Sequence, residues 1–286
     1  MNDEAASEVT HGELESLLAI GCEAAIRVMA VRNGGDIGLS LKGPDDPVTR
    51  ADKLANAYIV EELARAFPDA GIVAEESVPD AATVAAILSR RRVFFVDPVD
   101  GTREFAQGLP EFAVMIGLAI GGRATAGVLI LPAEGVAFAG RLGGGAFAIS
   151  LPDGARSELR PSTVARAADA TVVVSRSHRP KELEPILARL GGPRELGCGS
   201  VGVKVARVAT ARADLYIHPG RGAKKWDSCA PEAVIRAAGG DFTDVLGGRI
   251  DYAETELNML RGMCASNGVL HAEATAAARE VLGAPR

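Results

Sequence analysis

An apolar stretch that runs directly into two aspartates constrains the fold of this chain more than any other feature. Residues 93–96, Val-Phe-Phe-Val, have the composition of a buried strand, and the next six residues are Asp-Pro-Val-Asp-Gly-Thr. Burying one unpaired carboxylate is costly, and burying Asp97 and Asp100 side by side costs more. The sequence therefore predicts that a positive charge from outside the chain completes this strand end.

The composition is that of an ordinary globular protein. The 286 residues are 48% hydrophobic and 24% charged, with few aromatic residues and 33 glycines, which favours a compact α/β protein. The length permits one large domain or two halves of about 130 residues each. A net charge of −6 argues against a nucleic-acid polymer as partner. A small phosphorylated substrate remains compatible, since bound metal ions can invert the local charge.

Several features favour a soluble, cytoplasmic protein with no membrane partner. Residues 1–10 are acidic and polar, unlike a signal peptide. The most apolar segment, residues 112–132, is interrupted by Gly121-Gly122-Arg123, which predicts two strands joined by a tight turn rather than a membrane span. Four widely separated cysteines form no metal-finger spacing and are expected as free thiols in a reducing compartment: Cys22, Cys198, Cys229 and Cys264.

Hydrophobic periodicity divides the chain into two halves. The pattern of the first half predicts helices followed by hairpins, which is an α+β arrangement with an antiparallel sheet. The pattern of the second half predicts alternating strands and helices, as in α/β proteins. The polar composition near residues 152–161 predicts a domain boundary there. The first half then comprises residues 1–155 and the second half residues 156–286. The predicted helices are 11–32, 51–67, 81–89, 181–190, 200–210, 227–238 and 269–282. The predicted strands are 72–74, 93–96, 113–120, 125–131, 136–139, 146–149, 171–174, 214–218 and 263–266, with a loop at 33–47.

Acidic residues recur where predicted strands end. Glu75 and Glu76 follow one strand, and Asp97 and Asp100 follow the next. Ligand sites in α/β proteins commonly lie at the carboxyl ends of strands, and clustered carboxylates suit Mg²⁺. Two such ions could clamp both oxygens of a phosphoryl transfer, and the turn after Asp100 could offer backbone N–H groups to a phosphate.

Each motif also has a structural reading. Asp-Pro-x-Asp-Gly is a good turn sequence, and Glu75-Glu76 could be a solvated loop. Asp52 follows Thr49 in a Thr-x-x-Asp pattern that could be a capping box at the start of a helix. Trp226-Asp227, with Pro231 four residues after Asp227, could likewise be a capped helix start. The motifs taken singly leave these alternatives open.

Taken together, the motifs resemble the inositol monophosphatase superfamily of Mg²⁺-dependent, lithium-sensitive phosphatases. The segments that carry the resemblance run in the family's order between about Lys42 and Asn267: Val48-Thr49-Arg50-Ala51-Asp52, Ala74-Glu75-Glu76-Ser77, Asp97-Pro98-Val99-Asp100-Gly101-Thr102, Trp226-Asp227-Ser228-Cys229-Ala230-Pro231-Glu232 and Ala237-Ala238-Gly239-Gly240. Ala74 departs from the family's usual glycine. The resemblance implies a layered αβαβα sandwich and two or three Mg²⁺ ions.

The resemblance also implies roles for individual residues. Glu75, Asp97 and the backbone carbonyl of Val99 are implied ligands of one metal ion. Asp97, Asp100 and Asp227 are implied ligands of a second. Thr102 and Asp52 are implied to orient and deprotonate the attacking water.

Ser175-Arg176-Ser177-His178 resembles the corresponding segment of the 3'(2'),5'-bisphosphate nucleotidase branch, which converts adenosine 3',5'-bisphosphate to AMP. On this reading Lys204 holds the spectator phosphate as a point charge and His178 contacts base or ribose. Ser200 replaces a glycine of the branch's loop. The expected substrate-binding residues are Gly101, Thr102, Ser175, His178, Ser200, Lys204 and Asp227.

Two other functions stay open at this point. An inositol-phosphate or sugar-phosphate phosphatase would share the catalytic residues, and a catalytically silent metal- or nucleotide-binding protein belongs to a different class. The complete set of acidic residues argues against the silent protein, which would be free to lose one. The sequence leaves the oligomeric state open, with a homodimer as one option.

Overall fold

The computed structural model describes residues 9–43 and 46–283, so the polar segment at residues 1–8 lies outside it. The helices of this part of the chain are α1 (His11–Asn33), α2 (Arg50–Ala66), α3 (Ala81–Leu88), α4 (Thr102–Ala106), α5 (Leu183–Arg189), α6 (Val201–Ala209), α7 (Lys225–Ala237) and α8 (His271–Leu282). The strands are β1 (Ser40–Gly43), β2 (Asp46–Val48), β3 (Gly71–Ala74), β4 (Arg92–Asp100), β5 (Ala113–Ile120), β6 (Arg123–Leu131), β7 (Val136–Arg141), β8 (Gly145–Ser150), β9 (Arg156–Glu158), β10 (Thr171–Ser175), β11 (Arg194–Cys198), β12 (Leu215–His218), β13 (Asp241–Thr243) and β14 (Met263–Ser266).

Two sheets organise the fold. A seven-stranded sheet has the order β3-β4-β5-β6-β7-β8-β9 and is antiparallel except for the parallel pair β3–β4. A five-stranded sheet has the order β11-β10-β12-β14-β13, in which β10 is parallel to both of its neighbours. Strands β1 and β2 form a separate antiparallel hairpin.

The elements stack as an αβαβα sandwich, as the resemblance predicts. Helices α1 and α2 cover one face of the first sheet, α6 and α7 lie between the two sheets, and α8 packs with α5 on the outer side of the second sheet. Every residue of β5 and all but the first of β6 are therefore buried. Strands covered on both faces read as continuous apolar runs, which explains the apolar segment at 112–132.

Helix α7 lies unusually close to the first sheet because three glycines stand in register beneath it. Gly117 pairs with Gly127, and Gly127 pairs with Gly140, across β5, β6 and β7. A Cβ atom on Gly117 would lie 2.5 Å from the backbone N of Ala230, and one on Gly127 would lie 2.7 Å from its carbonyl O. Only glycine permits this approach of two backbones. We call these three residues the glycine stripe.

The structure confirms all seven predicted helices and all nine predicted strands, with small shifts of their ends. The turn at Gly121-Gly122 joins β5 to β6 as predicted, and within the described residues no helix is long and apolar enough to cross a membrane. The prediction of a loop at 33–47 was wrong in part, because β1 and the start of β2 lie there. Strands β9, β11 and β13 were not predicted. Strand β9 carries the first sheet to Glu158, and the division at 155/156 stays a prediction.

Candidate active site

An irregularity at the end of β4 determines the positions of Asp97 and Asp100. In the pairing of β4 with β5, Asp97 stands opposite Met115 and Asp100 opposite Ala113, so three steps on one strand match two on the other. A bulge of this kind redirects side chains at a strand end. The backbone N–H of Val99 donates to Asp97 Oδ1 at 3.0 Å.

Gly101 then turns the chain into the short helix α4. Its φ is 93°, and an added Cβ would lie 2.7 Å from the carbonyl O of Glu111. Glycine tolerates this backbone conformation at little cost. The turn places Thr102 at the start of α4, beside the aspartates.

Asp52 serves both as a helix cap and as a partner of Thr102. The N–H of Thr49 donates to Asp52 Oδ2 at 2.8 Å, which forms the capping box predicted from the sequence. The other oxygen, Oδ1, lies 3.0 Å from the Thr102 hydroxyl, which is also 3.0 Å from the carbonyl O of Val99. The capping reading and the contact expected of a catalytic pair are therefore compatible.

Asp227 and Glu75 reach the same place from different elements. Asp227 lies in the first turn of α7 and accepts the N–H of Lys224 at 2.6 Å, so the predicted helix start begins two residues earlier than expected. Glu75 lies in a 3₁₀ turn that follows β3, and β3 is parallel to β4, so the two strands end at the same edge. Acidic side chains from both halves of the chain meet there.

These carboxyl groups are buried and lie close enough to one another for their charges to interact. Burial raises the pKa of Asp97 well above its ordinary value, and the charges of Glu75 and Asp100 raise it further. Burial also raises the pKa of Asp227 to about 8, with further contributions from Asp100 and Glu75. Burial raises the pKa of Asp100 despite its hydrogen bond from Ser200. We call this group the carboxylate cluster: Asp52, Glu75, Asp97, Asp100 and Asp227.

The chemistry of the carboxylate cluster fits a hard divalent cation. Its donors are all oxygens, their burial is costly, and a bound positive charge would relieve their mutual repulsion. In the arrangement shown, no three His, Cys, Asp or Glu side chains of the described chain are already gathered as the ligands of one ion. Glu75 is instead engaged by Lys42, whose Nζ lies 2.9 Å from Glu75 Oε1 and 2.7 Å from Glu76 Oε1.

A cavity of about 580 Å³ opens from the carboxylate cluster toward the second half of the chain. Asp100 and Asp227 belong to its wall, whereas Glu75, Asp97, Val99 and Asp52 are not among the residues that line it. The structure thus brings every predicted substrate-binding residue to one cavity: Gly101, Thr102, Ser175, His178, Ser200, Lys204 and Asp227. Their contacts with a substrate remain predictions.

The loop with Ser200 keeps a glycine-like conformation. Ser200 has a φ of 54°, its hydroxyl donates to Asp100 Oδ2, and its Oγ accepts the N–H of Val203 at 3.1 Å as the cap of α6. Lys204 is buried, and its Nζ donates to the carbonyl O of Ser200 at 2.9 Å. Burial lowers the pKa of Lys204 although Asp100 lies near. The contact holds Lys204 at the cavity wall, and its role as a phosphate ligand stays a prediction.

The exposed loop after β10 is held by short contacts. The Oγ of Ser175 accepts the N–H of His178 at 3.2 Å, and the hydroxyl of Ser177 donates to Glu104 Oε1 at 2.9 Å. His178 is exposed and lines the cavity. Its ring is therefore accessible to a bound molecule.

Several residues of the site were not predicted from the sequence, and four of them carry a charge or a polar ring close to it. Lys42 lies on β1, in a segment predicted as a loop, and Tyr216, His218 and Arg221 line the cavity from β12 and the loop that follows it. Burial lowers the pKa of His218 to about 4, so its ring is neutral near pH 7. The only signal for Arg221 is its place between two glycines, six residues before Asp227.

Comparisons with known proteins agree with the geometry. The family model described as "Inositol monophosphatase family" matches residues 13–282. The chain is 31% identical to human 3'(2'),5'-bisphosphate nucleotidase 1 over 270 residues, 83% of this chain and 84% of that protein. It is 35% identical to an inositol-1-monophosphatase of Mesorhizobium japonicum over 222 residues, 75% of this chain and 78% of that protein. The crystal structure of the extragenic suppressor protein suhB from Bartonella henselae is similar with a TM-score of 0.79 and 27% identity, covering 94% of this chain and 99% of that one.

Proposed function

The chain belongs to the inositol monophosphatase family, and from that premise we propose that it is a Mg²⁺-dependent phosphatase that converts adenosine 3',5'-bisphosphate to AMP and phosphate. The observation that carries the proposal is the carboxylate cluster at one end of a cavity of about 580 Å³. A cavity of this size can take a ligand considerably larger than a phosphate group. The buried acidic end suits a metal-assisted reaction, and the remaining wall is free to recognise the rest of the substrate.

The residues that would hold the metal ions are Glu75, Asp97, the carbonyl of Val99, Asp100 and Asp227. When bound, Mg²⁺ supplies the positive charge that neutralises these carboxylates and the charge that develops on the phosphoryl group. The protein contributes the placement of its oxygens. The bulge in β4, the first turn of α7 and the end of β3 each fix one part of the set.

Thr102 and Asp52 are placed to handle a proton. The Thr102 hydroxyl lies 3.0 Å from Asp52 Oδ1, within the distance that a proton transfer requires. We assign to the Thr102 Oγ1 the task of orienting a water molecule at the cavity end and to Asp52 that of receiving the proton. The cap contact from Thr49 keeps Asp52 in position for this role.

Support for a nucleotide substrate comes from the second half of the chain. Ser175, His178, Ser200 and Lys204 line the same cavity as Asp100 and Asp227, and one of the related proteins is a bisphosphate nucleotidase. The four free cysteines fit a reducing cytoplasm. An inositol or sugar phosphatase is the second candidate, because the identity to a bacterial inositol-1-monophosphatase is 35%.

A phosphate-release assay tests the proposal with adenosine 3',5'-bisphosphate, inositol 1-phosphate and fructose 1,6-bisphosphate. We expect the first substrate to give the highest kcat/KM in Mg²⁺ and no turnover in excess EDTA. Asp97→Asn is the matched inactive variant, since it leaves the cavity wall unchanged and removes a central carboxylate. A preference for inositol 1-phosphate would select the second candidate, and full turnover in EDTA would contradict the metal-dependent reaction.

A further inference from the structure

Arg221 is an uncommitted positive charge at the wall of the cavity. It lies in the loop between β12 and α7, its side chain is exposed, and it lines the cavity together with Lys204 and His178. Among the residues that the structure describes, no hydrogen bond or ion pair engages its guanidinium. An arginine that faces a cavity without an internal partner is available to a bound anion.

The other arginine and lysine side chains of the cavity wall already have partners within the protein. Arg179 is bonded to Glu184 and Glu195, with its Nη1 2.6 Å from Glu195 Oε2. Lys204 donates to the carbonyl O of Ser200 and lies beside Asp100. Arg103 takes part in another interaction of the structure. His218 is neutral near pH 7 because burial lowers its pKa to about 4.

A positive charge without a partner favours the binding of a substrate with two anionic groups. Asp46 and Glu104 line the cavity outside the metal ligands, and their negative charges would oppose a second phosphate that lacked a cationic partner of its own. A guanidinium can bind a phosphate through two parallel N–H···O contacts, which gives both attraction and orientation.

We propose that Arg221, in place of the Lys204 expected from the sequence, binds the second anionic group, the 5'-phosphate, of a bisphosphorylated nucleotide whose 3'-phosphate lies at the carboxylate cluster. This inference rests on the proposed function and deepens it, since it names a residue that separates bisphosphates from monophosphates. The role is recognition of substrate, so the substitution of Arg221 should change KM and leave kcat nearly unchanged.

The test compares Arg221→Gln, Arg221→Lys and wild type on adenosine 3',5'-bisphosphate and adenosine 3'-monophosphate, which differ only in the 5'-phosphate. For Arg221→Gln we expect kcat/KM on the bisphosphate to fall by about 10- to 100-fold, the range for loss of a charge-assisted contact. On the monophosphate the change should stay within about twofold, because no second phosphate is present to lose its partner. For Arg221→Lys we expect an intermediate loss of kcat/KM on the bisphosphate, since lysine keeps the positive charge but cannot make two parallel N–H···O contacts.

Arg212→Gln is the matched control, because Arg212 is also exposed and does not line the cavity. Calorimetric titration with AMP in Mg²⁺ gives a readout without turnover. AMP carries only the 5'-phosphate, so Arg221→Gln should weaken its binding while Arg212→Gln should not.

The outcomes separate this inference from the proposed function. If wild type prefers the bisphosphate and Arg221→Gln keeps that preference and its AMP affinity, the inference about Arg221 is wrong and the nucleotidase stands. Equal losses on both adenosine substrates would also overturn it, because they would place Arg221 away from the 5'-phosphate. If wild type neither hydrolyses the bisphosphate nor binds AMP, both proposals fail.

Discussion

Single carboxylates in this protein perform two tasks at once. Asp52 and Asp227 each lie in the first turn of a helix, and each uses one oxygen to accept a backbone N–H at the helix start. In both cases the helix start fixes the rotamer of an acidic side chain that also belongs to the carboxylate cluster. Since an acidic residue in the first turn is favourable to a helix, structural and chemical demands coincide here.

The double role of Asp52 can be separated by two substitutions. Asp52→Asn should lower kcat by about 10²- to 10⁴-fold with a small change in KM, as for a positioned acid–base group. Thr49→Ala removes the capping hydroxyl and should lower the free energy of unfolding by about 1 kcal/mol with a much smaller loss of kcat. Steady-state kinetics and urea unfolding of both variants check this. If Asp52→Asn retained full kcat and lost only stability, Asp52 would be a cap alone.

Glu232 predicts a pH dependence of stability. It is buried on α7, accepts the Tyr252 hydroxyl at 2.8 Å, and its burial raises its pKa to about 7. The folded state therefore binds this proton more tightly than the unfolded state. The protonated Glu232 stabilises the folded state fully below about pH 4.5, and this contribution is lost as the pH rises to about 7. The loss in the free energy of unfolding is on the order of 3 kcal/mol.

Glu232→Gln keeps an acceptor for Tyr252 and removes the titration. We expect the variant to gain stability relative to wild type as the pH rises from 5 to 8, measured by urea unfolding in one buffer series. Other buried carboxyl groups change both proteins alike, so the difference between the two curves isolates Glu232. Parallel curves would show that Glu232 does not titrate in this range.

At the scale of elements, the hairpin of β1 and β2 supplies an internal cation. Lys42 contacts Glu75 and Glu76, and the two glutamates raise its pKa above the ordinary lysine value, although burial opposes this. On the proposed function, a metal ion must compete with this ammonium for Glu75. Lys42→Met removes this competing contact and should therefore strengthen Mg²⁺ binding by roughly tenfold, because one charged hydrogen bond corresponds to about that change in affinity.

Titration calorimetry with Mg²⁺ checks the competition directly, without substrate. Lys53→Met, which removes an exposed lysine on α2, serves as the control and should bind Mg²⁺ as wild type does. Weaker binding by Lys42→Met would contradict competition and would show that Lys42 assists the site.

The glycine stripe gives a second prediction about an element. Gly127→Ala places a methyl group against the backbone of Ala230, which should cost about 1–3 kcal/mol of stability and move α7 away from the sheet. Because Asp227 lies on α7, kcat should fall as well. Gly197→Ala is the control, since no atom lies within 4 Å of an added Cβ there. Denaturation and kinetics of both variants test this, and an unchanged kcat in Gly127→Ala would separate the stripe from the site.

The sequence predicts those elements whose signal is local. Helices such as α1 and the hairpin of β5 and β6 follow from periodicity and a turn at Gly121-Gly122. Strand β11 lies at a sheet edge with its charged residues exposed, so its pattern differs little from a loop. The motif residues of the carboxylate cluster could be named, whereas Lys42 and Arg221 could not. Their roles depend on contacts or cavity walls formed by distant segments.

At the scale of the whole molecule, the layer of α6 and α7 belongs to both sheets. These helices contact strands of the seven-stranded sheet and of the five-stranded sheet. Removing the second half would therefore expose an apolar face of β4, β5 and β6 to water, which a stable domain does not tolerate. We infer that the two halves predicted from composition depend on each other for stability.

Calorimetry tests this dependence. The intact chain should unfold in a single transition, with equal calorimetric and van't Hoff enthalpies, and a fragment of residues 1–158 should fail to unfold cooperatively. A fragment that folds and melts on its own would show that the halves are autonomous domains.

The seating of α7 on the glycine stripe also has a consequence for the timing of assembly during synthesis. In the sequence, Asp227 comes after the strand that carries Asp97 and after all strands of the sheet on which α7 rests. It is therefore synthesised later than the other carboxylate residues of the site. A nascent chain that has completed β4 to β9 already contains most of the carboxylates but lacks the helix that draws the last one into place. On the proposed function, capture of a metal ion would then mark the docking of α7, and in refolding it should lag behind formation of the first sheet.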